Sequence, residues 1–276
     1  GLDFKSPHTG LAAKKVWFFF DKTYVCLGTD ISSRMKNQVL TTVNQCLLNG
    51  QVTVSDADGI HPQERGSRMK KGVRWVVHDR VGYYFLNKEN VILSNQRTEG
   101  SWKIANRQTT TPTDIIQQDV FTLSVDHGSY PNNEGYAYMV VPSADPLSIE
   151  KQVEEEGVVV LANCPDVQAV RHDGLNMAYA VFYKGGTLRI HDKIVVEMDA
   201  PGMLMVKYND AGEILTLGVS DPTRFMKKLH LSVNQRIVGT AQENIQTEWD
   251  GKQALTRISV DLPQNEYAGK SVIYNK

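Results

Sequence analysis

The feature that most constrains this chain is a succession of short runs rich in β-branched and aromatic residues, each closed by a turn signal within a few positions. "VWFFF" (16–20) and "TYVCL" (23–27) flank Asp21-Lys22, which predicts a tight hairpin. "QVLTTVNQCLL", Asn49-Gly50 and "QVTV" (38–54) predict a second hairpin, because Asn and Gly both accept the positive φ of a type I′ turn. Further runs lie at 73–86, 90–96, 120–125, 136–142, 177–190, 193–198, 203–219 and 254–262, with Gly185-Gly186 and Asn209-Asp210-Ala211-Gly212 at hairpin distances between them. Short strands at this spacing predict an all-β chain of antiparallel sandwiches rather than βαβ units.

Helical patterning is scarce. "SADPLSIEKQVEEEG" (143–157) has polar residues to cap its start and Gly157 to stop it, but little apolar face. It predicts a short exposed helix or linker that divides the chain into domains 1–150 and 157–276.

The 30 basic and 31 acidic residues nearly cancel, so nothing in the bulk charge draws the chain to nucleic acid or anionic lipid. Binding of a charged polymer requires a local patch. No apolar run approaches the ~20 residues of a membrane helix, so neither nucleic acid nor membrane is an expected partner. Cys26, Cys46 and Cys164 are scattered and form no C-x-x-C pair; the first two read as buried thiols. "GLDFKSPHTG" lacks both an initiator Met and a signal-peptide profile, which suggests a piece of a longer protein.

Candidate chemistry is thin. Asp56-Ala57-Asp58-Gly59 has the look of a calcium loop but lacks the later ligands, so an Asp-Gly turn is the better reading. Glu154, Glu155 and Glu156 are consecutive and point in different directions, as on a solvated face. No G-x-S-x-G, P-loop or G-x-G-x-x-G occurs, and no histidine pair, His172 and His191 included, is spaced for metal. "QERGSRMKKGVR" (63–74) reads as a mobile basic loop that leads into a strand near Trp75. Its Arg65, Arg68 and Arg74 suit the planar oxyanions of an acidic polysaccharide, against the blander reading of a solvated loop with acids nearby. Trp17 and Trp75 sit in core-like runs, whereas Trp102, after Gly100-Ser101, is the least core-like of the tryptophans. "DHGSYPNNEGYAYMVVP" (126–142) sets His127 near Tyr130, Tyr136 and Tyr138. A proton-transfer pair and a β-corner both fit those residues.

The order of several blocks resembles the C-terminal β-region of the family 8 polysaccharide lyases: the chondroitin, hyaluronate and xanthan lyases. The blocks are "AAKKVWFFFDKTYVCLGTDISS" (12–33), "TTVNQCLLNG" (41–50), "VGYYF" (81–85), "GSWKIAN" (100–106), residues 126–142, "LANCPDVQAVRH" (161–172) and "LTLGVSDPT" (215–223). They span most of residues 1–225.

The resemblance implies an antiparallel supersandwich followed by a smaller C-terminal β-sandwich, standing in the parent behind an N-terminal α/α toroid. Family members cleave uronic-acid polymers by β-elimination. A base takes the C5 proton, a donor such as Asn or Arg neutralises the carboxylate charge, and an acid protonates the leaving oxygen. The residues for those roles come from the toroid and from a segment upstream of the first matched block, so no catalytic residue carries over. The implied function is a non-catalytic β-region that walls the substrate cleft and supports the toroid. Arg65, Arg68, Arg74 and Trp102 are the expected substrate contacts, and residues 126–142 are a scaffold corner. No cofactor is required, a structural divalent cation is left open, and the parent is expected to be secreted or periplasmic. The alternative is a stand-alone carbohydrate-binding or adhesion β-module.

Overall fold

The structure, a computed structural model, describes residues 1–237 and 244–276. It comprises two compact units, one spanning Asp3–Gln152 and the other made of Val153–Lys276 with Gly1–Leu2.

The strands of the first unit are β1 (Leu2–Lys5), β2 (Ala12–Phe19), β3 (Tyr24–Ser32), β4 (Gln38–Leu47), β5 (Val52–Asp56), β6 (Gly59–Pro62), β7 (Ser67–His78), β8 (Val81–Gly100), β9 (Ile116–Ser129) and β10 (Glu134–Pro142). They form one ten-stranded sheet that forks. β8, 20 residues long, is flanked by β7 on one side. On its other side it pairs with β10 from Val81 to Phe85 and with β9 from Val91 to Gly100. One branch continues as β10-β3-β2-β1 and the other as β9-β4. A shared core gathers Cys26, Ile31, Tyr136 and Tyr138 from the first branch, Phe121, Leu123 and Val125 from the second, and Phe85, Val91 and Leu93 from β8. β10 is buried from Tyr136 to Val141 without alternation, the signature of a strand covered on both faces. The helix α1 (Trp102–Ala105) follows β8, and α2 (Ile149–Glu156) follows β10. At Gly82 a Cβ would lie 2.4 Å from Ile149 Cδ1, so the missing side chain is what lets Ile149 seat on the sheet.

The Asp21-Lys22 hairpin forms as expected, with Phe19 opposite Tyr24. The Asn49-Gly50 hairpin does not: β4 pairs with β9, whereas β5 pairs with β6 and β7. Gly50 has φ +73°, but Asn49 is outside the left-handed region that a type I′ turn requires of both residues. Its N–H is given to His78 Nε2 (3.0 Å) and its side-chain amide to Asp79 Oδ1 (2.8 Å), which steers the chain to another partner strand. The tight left-handed pair is instead Asp79-Arg80 (φ 46° and 62°), joining β7 to β8. "NVILSNQ" is the second half of β8, not a strand of its own. Trp17, expected in the core, is 41% exposed, because β2 turns it to the outer face while Val16 and Phe18 point inward.

The second unit contains β11 (Val158–Asn163), β12 (Val167–His172), β13 (Met177–Phe182), β14 (Gly186–His191), β15 (Ile194–Met198), β16 (Gly202–Tyr208), β17 (Ile214–Ser220), β18 (Lys228–Val233), β19 (Ile245–Asp250), β20 (Leu255–Asp261) and β21 (Val272–Asn275). A six-stranded sheet, β11-β12-β13-β16-β17-β21, and a five-stranded sheet, β14-β15-β18-β20-β19, share one core. Phe182, Leu204 and Val206 of the first meet Leu188, Val196, Leu231 and Ile258 of the second within it. Burial along β16 and β20 alternates with period two, as a sandwich demands. The Gly185-Gly186 turn therefore passes from one sheet to the other, while Asn209–Gly212 closes the β16–β17 hairpin. The chain is thus an antiparallel supersandwich followed by a C-terminal β-sandwich, as expected.

Candidate functional site

The basic segment is ordered by strand pairing. β7 begins at Ser67, and Ser67–Lys70 pair with Val91–Ser94 of β8, so the expected mobile loop is reduced to the few residues before it. Those residues are clamped by Asn95, which is 4% exposed. Asn95 Oδ1 accepts the Gly66 N–H (3.1 Å), its amide donates to the Gln63 carbonyl (3.2 Å), and its N–H to the Gly66 carbonyl (3.0 Å). Buried bonds of this kind fix a backbone, since each broken one leaves an unpaired polar group.

Arg65 and Arg68 project from this clamp. Arg65 Nη2 lies 2.7 Å from Asp119 Oδ1 and Arg68 Nη2 lies 2.5 Å from Glu64 Oε2, with both guanidinium side chains 55% exposed. Exposed pairs contribute at most about 1 kcal/mol, so an incoming carboxylate or sulfate can displace Glu64 or Asp119 at little cost. Asp119 stands opposite Arg97 on the β8–β9 ribbon, and Trp102 follows on the same ribbon beyond Gly100. Trp102 opens α1, is 62% exposed, and sits on a short turn capped by Ser101 Oγ, which accepts the Lys103 N–H at 3.3 Å.

Arg74 lies apart from these three. One register shift separates it from Lys70 and it sits within a second, and Nη1 reaches Glu150 Oε1 of α2 at 3.4 Å. The same oxygen accepts Trp75 Nε1 (3.3 Å), and Trp75 is fully buried. Arg74 therefore helps seat α2.

His127 and Tyr136 do approach each other, with ring centroids 6.1 Å apart, but both are buried. His127 Nε2 pairs with Thr41 Oγ1 at 2.9 Å, and burial, assisted by the Lys15 charge, lowers its pKa to about 4. The ring of Tyr136 occupies the space beside Gly28, where a Cβ would be 2.1 Å from Cε1. Asp126 Oδ1 accepts the Gly128 N–H (2.9 Å) and the Gln38 amide (3.0 Å), closing the corner. A base and acid that substrate cannot reach form a structural corner.

Two polar clusters bring together residues that the sequence did not pair, one of them at the Asp-Gly turn after Asp56. At the fork, burial raises the pKa of Glu89 to about 7, helped by the charge of Glu134 and opposed by the nearby backbone N–H of Ala137. Its only sequence trace is the polar stretch Asn87–Asn90 inside an otherwise strand-like run. At the β5–β6 turn, Asp56 meets His61 Nε2 at 3.1 Å and Lys70 Nζ at 2.9 Å. Burial opposes its charge, but the bonds from Lys70, His61 and the Asp58 N–H outweigh burial and hold its pKa below the usual range. Asp56 is therefore a staple between strands. Among the described residues, no group of three His, Cys, Asp or Glu side chains could hold a metal ion.

Comparison with known proteins places these features in a family. The family described as "Polysaccharide lyase family 8, super-sandwich domain" matches residues 1–153, and "Polysaccharide lyase family 8, C-terminal beta-sandwich domain" matches residues 159–230. The chain is similar to chondroitinase-AC of Pedobacter heparinus, 35% identical over 271 residues that cover 98% of this chain and 35% of the relative. A hyaluronate lyase of Enterococcus faecalis is 27% identical over 237 residues, covering 81% of this chain and 22% of that protein. A solved chondroitinase AC lyase, described from oligosaccharide complexes, superposes with a TM-score of 0.82 at 34% identity, covering 98% of this chain and 37% of that one. The chain thus spans about a third of the length of the chondroitinase it matches.

Proposed function

This chain belongs to polysaccharide lyase family 8, and from that premise we propose that it is the β-region of a secreted or periplasmic lyase that cleaves uronic-acid polysaccharides of the chondroitin or hyaluronan type by β-elimination. In this reading the chain forms one wall of the substrate cleft and buttresses a helical toroid that carries the reacting groups. The substrate class is supported by the relatives, one named for chondroitin and one for hyaluronan.

The observation that carries the role of a wall is the presentation of Arg65 and Arg68 by the buried Asn95 clamp. Two guanidinium groups on a fixed backbone, paired only with exposed carboxylates, are ready to exchange those partners for a polymer's carboxylate or sulfate. Trp102, exposed farther along the same ribbon, offers a flat apolar face for a sugar ring. In this reading the chain alone binds the polymer without cleaving it.

Titration of the chain with chondroitin sulfate and with hyaluronan tests this reading. Binding that weakens with added salt, and by about tenfold in Arg65→Ala/Arg68→Ala, is expected. A chain with no affinity for either polymer contradicts it.

A further inference from the structure

The loop after β17 carries a feature that the cleft wall does not use. Asp221, 3% exposed, folds residues 221–226 around its carboxylate. Oδ1 accepts the Thr223 N–H (2.8 Å) and hydroxyl (2.5 Å), and Oδ2 accepts the N–H groups of Phe225 (2.9 Å) and Met226 (2.8 Å). Arg224 is held at φ +67°, a conformation that L-residues adopt only when their surroundings impose it. This construction displays Phe225, 89% exposed, away from the core.

A second loop locks against the first. Gln264 Nε2 donates to the Met226 carbonyl (3.0 Å), and Arg224 Nη2 reaches the Asn265 carbonyl (3.5 Å). The stem of Arg224 lies along Gly269, where a Cβ would be 3.3 Å from its Cγ. The second loop exposes Tyr267 (60%), with Lys270 Nζ 5.9 Å from the ring centroid. The paired loops thus display two aromatic rings among Arg224, Lys227 and Lys270. Lys228 is already engaged by Asp261 at 3.2 Å, and Glu266 is the acid on the second loop.

We propose that Phe225 and Tyr267, with Arg224 and Lys270, form a second binding site for acidic polysaccharide, on the C-terminal sandwich. The proposal rests on the substrate class inferred above. Two exposed aromatic rings on interlocked loops make a patch rather than a lone exposed residue, and such a patch marks a surface for a partner. The sugar rings of a uronate polymer supply apolar C–H faces for Phe225 and Tyr267. Their carboxylates and sulfates are complementary to the surrounding cations. Such a site would hold the polymer while other segments of it occupy the cleft, raising its local concentration there.

The test compares binding of chondroitin sulfate, hyaluronan and neutral dextran by the full chain, by Phe225→Ala/Tyr267→Ala and by Arg65→Ala/Arg68→Ala. The aromatic variant is expected to keep the wild-type melting temperature and to bind both acidic polymers about tenfold more weakly. None of the three forms should bind dextran, and Arg224→Ala/Lys270→Ala should lower the salt dependence. Unchanged affinity in the aromatic variant, alongside weakened binding in the arginine variant, overturns this site and leaves the cleft-wall reading standing. Loss of self-association in the aromatic variant, with polysaccharide binding intact, assigns the surface to a second copy of the chain and likewise overturns it. A wild-type chain that binds no acidic polymer removes both readings.

Discussion

The carboxyl group of Glu89 lies by the backbone of Ala137, whose N–H favours its charge while burial disfavours it. The two meet where β8 has finished pairing with β10, after Phe85, and has not yet begun to pair with β9, at Val91.

That arrangement predicts a pH effect with a definite sign. The Glu89 pKa of about 7 stands above the 4.5 of an ordinary glutamate, because burial and Glu134 disfavour its charge. The folded chain holds this proton more firmly than the unfolded chain. Its contribution to stability is therefore full below pH 4.5 and is lost as pH rises through about 7. Glu89→Gln keeps an acceptor and removes the titration. Allowing for partial solvation, the variant should gain on the order of 1–2 kcal/mol over wild type between pH 5 and pH 8, measured by urea unfolding.

His127 gives the opposite trend. Burial and Lys15 hold its pKa near 4, below the 6.5 of a free histidine, so the unfolded chain takes the proton first as pH falls. Its contribution is full above 6.5 and is lost as pH falls through about 4. His127→Gln retains a partner for Thr41 and should flatten the acid limb of the stability profile by on the order of 2 kcal/mol. A profile unchanged from wild type between pH 4.5 and 7 would show that His127 does not carry this effect.

Gly28 against Tyr136 sets a steric prediction. The Cβ of Gly28→Ala would stand 2.1 Å from Tyr136 Cε1, and the ring is enclosed by its neighbours in the core. Overpacking of this kind should cost about 3 kcal/mol and lower the melting temperature. Tyr136→Leu in the same background makes room for the methyl group and should recover part of the loss, as a double-mutant cycle would reveal.

Arg65→Ala/Arg68→Ala addresses the wall without disturbing the fold. Both guanidinium groups are half-exposed and their pairs are worth little, so stability should stay within about 0.5 kcal/mol of wild type. Asn95→Ala removes the clamp beneath them. It should weaken polymer binding to a similar degree and also cost about 2 kcal/mol of stability, which separates display of the arginines from their charge.

The alternation of apolar runs and turn residues made the all-β class legible, because a period of two is a local property of each strand. Partnership between strands is not local. Asn49-Gly50 carried the strongest hairpin signal, yet His78 and Asp79, distant in sequence, capture Asn49 and send β4 to β9. Asp79-Arg80 makes the tight turn without a glycine, and so gave no warning. The fork at Glu89 depends on three strands that meet only in the folded chain. At the site, the basic composition of 63–74 was visible, but the Asn95 clamp, which separates Arg65 and Arg68 from Arg74, was not.

We propose that this chain binds an acidic polysaccharide as part of a lyase while the reacting groups lie outside it. The most direct measurement is formation of unsaturated uronate from chondroitin sulfate and hyaluronan by the purified chain, at a concentration where binding is saturated. Saturable binding with no unsaturated product is the expected result. Product formation that disappears in a folded His127→Ala variant would contradict it and place the catalytic centre at the corner of residues 126–142.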